Sequence, residues 1–142
     1  MMGEEYLGGF TSGNMIRGRL RGYGLYATTV RVIGVKSRKA AAGFMLGAAL
    51  GGAIGYAVGQ KLSKDEGVKM IHELDEKKDF DMAKTDISRI EMKKPRWYRQ
   101  GHILFTPKYG EPIKVKVGHK RDFAKLNELM QRFSPEVTVM VD

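Results

Sequence analysis

The sequence predicts a mainly β protein with α: an antiparallel barrel closed by a C-terminal helix, with a glycine-rich helix or helical hairpin inserted between its strands. Three observations carry this reading. Residues 14–36 and 79–117 are rich in β-branched and aromatic side chains broken by turn residues. Phe123, Leu126, Leu129, Met130 and Phe133 recur at helical spacing before a stop at Ser134-Pro135. Between the strand-rich stretches, Gly43, Gly47, Gly51, Gly55 and Gly59 stand four residues apart in an uncharged run from Ala40 to Gly59.

At 142 residues the chain is one domain long. It divides into an N-terminal extension (1–13), a barrel with its C-terminal helix (14–36 and 79–142) and the glycine-zipper insertion (37–78). The absence of cysteine excludes disulfides, zinc-thiolate sites and thiol catalysis. Met1-Met2-Gly3-Glu4-Glu5 is acidic and has no early apolar run, unlike a secretory signal. The expected compartment is the cytoplasm, with peripheral attachment to the inner face of the membrane as an extension of that reading.

The elements follow in order. Ile16 and Leu20 alternate with Arg17, Arg19 and Arg21; Gly22-Tyr23-Gly24 is a turn or bulge; Leu25 to Thr28 and Val30 to Ile33 have strand composition, giving three short antiparallel strands. Ser63 and Glu66 have capping-box spacing for a helix over 65–77, whose apolar stripe is Val68, Ile71 and Leu74. Phe80, Ile87, Ile90 and Met92 resume strand character until Pro95 ends pairing. Gly101 to Thr106 and Ile113 to Val117 flank a turn at Lys108-Tyr109-Gly110-Glu111-Pro112, the clearest hairpin in the chain. An amphipathic helix from Phe123 to Phe133 closes one end of the sheet.

Within this pattern, Leu25-Tyr26-Ala27-Thr28-Thr29-Val30-Arg31-Val32-Ile33 resembles the L-Y-x-T-x-x-R-x-I segment of GRAM-type and prokaryotic pleckstrin-homology-like (PH-like) domains. Asp86-Ile87-Ser88-Arg89-Ile90-Glu91 is similar to their D-I-x-x-I-E strand, and the hairpin followed by Phe123 to Phe133 matches their ending. The resemblance covers residues 14–36 and 79–133. It implies a PH-like barrel and a non-enzymatic module for lipid headgroups, peptides or assembly. The glycine insertion departs from the family's plain form.

Charge is distributed unevenly. From Tyr6 to Lys64 there is no Asp or Glu, while Arg17, Arg19, Arg21, Arg31, Lys36, Arg38, Lys39, Lys61 and Lys64 supply nine positive charges, equal to the whole excess of +9. An anionic partner is therefore expected to meet the first half of the chain. Arg17, Arg19 and Arg21 at spacing two would share one strand face and could grip phosphate oxygens. The plainer reading is a soluble outward face. Arg38, Lys39, Lys61 and Lys64 bracket the glycine run and would sit at headgroup level on an anionic membrane.

Interior glycines each cost roughly 1 kcal/mol in a helix, so the zipper needs a partner to offset them. At spacing four their missing side chains form a groove that admits another backbone. Three readings stand: self-association or helix packing, a membrane-embedded segment, and a flexible loop. A single crossing is disfavoured, because it would separate the first strands from the rest. Two return paths remain. One is a re-entrant hairpin bent at Gly51-Gly52; the other is a protruding arm in which helix 40–62 reverses at Ser63 and pairs with helix 65–77.

Arg96-Trp97-Tyr98-Arg99 beside Lys93-Lys94 could stack bases or seat Trp97 at a membrane interface, but aromatics covering the barrel are the simpler account. Gly22-Tyr23-Gly24 leads into a strand rather than the helix N-terminus that phosphate binding needs. His72, His102 and His119 are scattered, Asp79 and Asp81 share a strand face beside lysines, and no nucleophile, base and orienting group come together. The expectation is a non-enzymatic, self-associating module with no cofactor, no metal and no small-molecule substrate. Its expected partners are copies of itself and an anionic membrane. A basic nucleic-acid-binding protein is the alternative.

Overall fold

The structure is a computed structural model that describes residues 3–36 and 63–141. The zipper glycines Gly43, Gly47, Gly51, Gly55 and Gly59, with Arg38, Lys39 and Lys61, lie outside the described residues. Among the described residues, ten strands and two helices follow in the order β1 (Tyr6–Thr11), β2 (Met15–Arg17), β3 (Leu20–Arg21), β4 (Gly24–Thr28), β5 (Arg31–Val35), α1 (Lys64–Lys77), β6 (Lys78–Ala83), β7 (Ile87–Lys93), β8 (Gly101–Pro107), β9 (Ile113–Val117), α2 (Lys120–Phe133) and β10 (Thr138–Val141).

The mainly β class with α is what forms. The strands make two sheets, ordered β1-β4-β5-β6 and β10-β7-β8-β9-β2-β3, rather than one closed barrel. Chain passes from one sheet to the other between β1 and β2, between β3 and β4, and through the 3-10 turn Lys84–Asp86 between β6 and β7. Of the first two crossings, the second passes through Gly22, whose φ of 72° is open to glycine but unfavourable for other residues. The Thr11 hydroxyl donates to the Gly22 carbonyl and holds the two crossings together.

Alternation along the strands separates two apolar layers. Leu25, Ala27, Val32 and Met82 point into the main core, where they meet Ile90, Met92, Ile103, Phe105, Val115 and Val117 of the second sheet. Phe123, Leu126, Leu129, Met130 and Phe133 of α2 complete that core, as their spacing predicted. Tyr26, Ile33 and Val35 alternate with those residues and lie on the opposite face of the four-stranded sheet, on which α1 packs through the buried Met70 and Leu74.

Four differences from the sequence reading have local causes. Tyr6–Thr11, assigned to an N-terminal extension, is β1 and pairs antiparallel with β4. The α1 stripe is Gly67, Met70 and Leu74 rather than Val68, Ile71 and Leu74, and Val68 is 63% exposed. That rotation sets Asp75 against Arg31, a contact no pattern of apolar residues encodes. Helix α1 also lies on the sheet rather than in a protruding arm, because Met70 and Leu74 bury completely there. Finally, β10 follows α2 and pairs parallel with β7. The capping box at Ser63 and Glu66 forms as predicted, with both reciprocal hydrogen bonds present.

Candidate functional site

The three arginines expected on one face do not share it. Gly18 and Arg19 are the two loop residues of a tight hairpin, with Arg17 opposite Leu20 and Ile16 opposite Arg21. Gly18 adopts φ 62°, which suits such a turn. Directly opposed residues share a face and neighbours alternate, so Arg17 and Arg21 point to opposite sides of the hairpin. Arg19 and Arg21 are exposed, whereas Arg17 is half-buried.

Arg17 is already engaged within the fold. Its guanidinium pairs with the Asp79 carboxylate and lies over the rings of Tyr23 and Phe80, 5.7 and 5.4 Å from their centroids. Tyr23 donates to the same carboxylate at 2.7 Å, and the Lys36 ammonium stands 3.9 Å from Asp79. The two aspartates expected on one face are separated by a β-bulge. Lys78 opposes Val35 and Phe80 opposes Gly34, so Asp79 has no partner residue, while Asp81 returns to the ladder opposite Ile33. Burial and the Asp79 carboxylate both push the Tyr23 phenol well above its ordinary pKa, so it stays a hydrogen-bond donor. The cluster therefore ties β2, β4 and β6 together structurally.

Arg31, the arginine of the resembled segment, anchors a second network. It donates to Glu4 at 2.7 Å, to both oxygens of Asp75 at 2.7 and 2.8 Å, and to Asp81 at 2.8 Å. These bonds raise its pKa further and hold the Asp75 carboxyl at about 2. Burial tends to raise the pKa of Asp81, but hydrogen bonds from Arg31 and Lys78 outweigh it and the net shift is downward. Thr28, also of that segment, donates to Glu4 at 2.6 Å and accepts from the backbone N–H groups of Val30 and Arg31. Its residues thus fasten the N-terminus and α1 to the four-stranded sheet.

Beside Arg31 lies a cleft of about 480 Å³ whose charged lining is Arg31, Asp81, Asp86 and Glu111, with Tyr109 at its edge. Three carboxylates against one already paired guanidinium make it unsuited to an anionic headgroup. The histidines have separate structural roles: His72 pairs with Glu76 one helical turn on, His102 bonds Glu91 at 2.7 Å, and His119 accepts from the Arg121 N–H at the start of α2. Among the described residues no group of three or more His, Asp or Glu side chains is arranged to hold a metal ion.

The strongest exposed chemistry is at the tip of the β7–β8 connection. Arg96 and Arg99 exchange backbone hydrogen bonds of 2.9 and 3.2 Å, closing a turn with Trp97 and Tyr98 at its apex. Trp97 is 94% exposed and Tyr98 63%, so these aromatics do not cover the sheet as the simpler reading had it. Their rings meet edge to face at 5.3 Å. Of the residues expected to meet an anionic partner, the structure thus leaves Arg19, Arg21 and Lys64 exposed and commits Arg17 to Asp79. Among the described residues no helix is long and apolar enough to cross a membrane. The chain matches no family model, no curated protein and no solved structure.

Proposed function

We propose that this chain is a non-enzymatic, PH-like binding and assembly module that self-associates through its glycine zipper and attaches peripherally to anionic membrane. The observation that carries the reading is where the zipper is attached. Strand β5 ends at Val35 and α1 begins at Lys64, and α1 packs on the sheet that contains β5. The segment from 37 to 62 therefore leaves and rejoins one folded body, which a single membrane crossing could not allow. The two sheets with shared crossings and the core-closing α2 support a PH-like arrangement. In the Tyr23, Asp79 and Arg17 cluster the phenol donates to a carboxylate that already pairs with the guanidinium, an arrangement that serves the fold. Several weakly held protomers on one anionic surface would bind it strongly by multivalency.

Self-association is tested by light scattering. Gly51→Leu and Gly55→Leu raise helix propensity yet are expected to lower the oligomer's mass, because a bulky side chain holds the facing backbone away. Unchanged mass in both variants, at concentrations where the wild type is oligomeric, would count against the zipper.

A further inference from the structure

We propose that the Trp97–Tyr98 turn is the element by which the protein enters an anionic lipid leaflet. This rests on the membrane half of the reading above, but places the contact on residues separate from the zipper.

Four observations lead there. The apex is aromatic and solvent-facing, and no acidic residue occurs from Met92 to Gly110. Lys93, Lys94, Arg96 and Arg99 flank it in the chain, Lys94 and Arg96 exposed and Lys93 and Arg99 half-buried. Tryptophan and tyrosine favour the depth where headgroups meet acyl chains, and Lys and Arg near that depth meet anionic phosphates. The pairing Gly101 with Val117 puts this tip at the end of the six-stranded sheet from which α2 starts, so exposed Lys120 and Arg121 add charge at the same end.

The base of the turn is also fixed, which limits the entropy lost on docking. A side chain at Gly101 would collide with the Lys93 carbonyl and the Lys94–Pro95 backbone, so the strands meet there at the closest approach glycine allows. Pro95 is buried, and the Arg99 guanidinium lies 5.7 Å from the Tyr98 ring centroid. The turn holds its two rings outward, against each other and, for Tyr98, against the Arg99 guanidinium. Charge complementarity favours an anionic leaflet over a protein surface, and a membrane interface favours an aromatic apex over a purely cationic one.

Trp97 is the single tryptophan of the chain, so its fluorescence reports on this turn alone. The full chain is mixed with phosphatidylcholine vesicles with and without phosphatidylserine; sedimentation reads binding, and emission and quenching by brominated lipid read depth. The expected result is sedimentation with the anionic vesicles, a blue shift and quenching, none of which occurs with phosphatidylcholine alone. Trp97→Ala combined with Tyr98→Ala, both at exposed positions, is expected to weaken sedimentation at least tenfold without changing the melt. Sedimentation with unmoved Trp97 emission would overturn this proposal and leave membrane attachment standing. Absence of sedimentation at low salt would overturn both. A blue shift produced only by concentrating the protein, or only by single-stranded oligonucleotide at equal ionic strength, would assign the turn to self-association or to base stacking instead.

Discussion

The Tyr23 hydroxyl and the Asp79 carboxylate, 56 positions apart in sequence, meet at 2.7 Å where β4, β6 and the β2–β3 hairpin converge. Because the same carboxylate holds Arg17, Asp79→Ala leaves both a guanidinium and a phenol without their acceptor. The expected cost is about 3 kcal/mol, against about 1 kcal/mol for Tyr23→Phe, which removes one donor and leaves the ion pair. Urea denaturation of the two variants checks the ratio, and equal losses would mean that the carboxylate matters only through Tyr23.

Acid should weaken the Arg31 network. Asp75 titrates near 3.8 when free and at about 2 beside Arg31, so its contribution is fully present above the free value and is lost as pH falls toward 2. Asp81 is lowered as well, and contributes in the same sense. In Arg31→Gln the stability-against-pH curve should be flatter between about pH 5 and pH 2 than in wild type. Parallel curves would show that other carboxylates carry the acid sensitivity; Glu91, lowered by its bond to His102, is one that Arg31→Gln leaves in place.

Two glycines should respond to alanine in opposite directions. A Cβ at Gly34 would collide with the edge of the Phe80 ring and with the Tyr23 hydroxyl, so Gly34→Ala should destabilise by about 1–3 kcal/mol through forced movement of these two rings. At Gly67, inside α1, the nearest atom to a new Cβ is Cβ of Tyr6 at 4.0 Å, an ordinary contact. Gly67→Ala should stabilise by up to about 1 kcal/mol from helix propensity alone. Thermal melts in one buffer give both signs.

The insertion should divide at Ser63. Replacing 37–62 by a Gly/Ser linker is expected to keep β-rich circular dichroism and a cooperative melt. Replacing 37–77 removes α1 and exposes Tyr26, Ile33 and Val35, so that variant should lose cooperativity or aggregate. If both deletions melt alike, α1 adds nothing to the folded body.

What the sequence made legible is what local signals specify. Ser63 with Glu66, the Ile113-to-Val117 alternation and the Phe123-to-Phe133 spacing each need only a few neighbouring residues, and each forms as read. The misses depend on distant partners. Tyr6–Thr11 contains Gly8 and Gly9, which lower strand propensity, but the space a Gly9 side chain would take is filled by Tyr26. Strand β10 exists because β7 offers it a parallel edge. Gly18 was the available signal that the Arg17-to-Arg21 alternation is broken by a turn, and the β6 bulge that parts Asp79 from Asp81 left no such mark. Aromatics covering the barrel are the simpler account of Trp97 from sequence, whereas a two-residue apex offers them nothing to cover.

The pairing of β2 with β9, Met15 against Val117, also governs the order in which the molecule can assemble. During synthesis the first strands, α1 and β6 are complete once residue 83 has emerged, and the four-stranded sheet needs nothing later. The β2–β3 hairpin must wait for β9, and Ser12 waits for Asp122, to which it donates at 2.6 Å. Until then the apolar face that Leu25, Ala27 and Val32 present has no second sheet over it. Such long-range closure is slow. The nascent chain therefore carries an uncovered half-core while residues 84–133 are translated, an interval in which a chaperone, rather than the chain itself, would have to keep it from sticking.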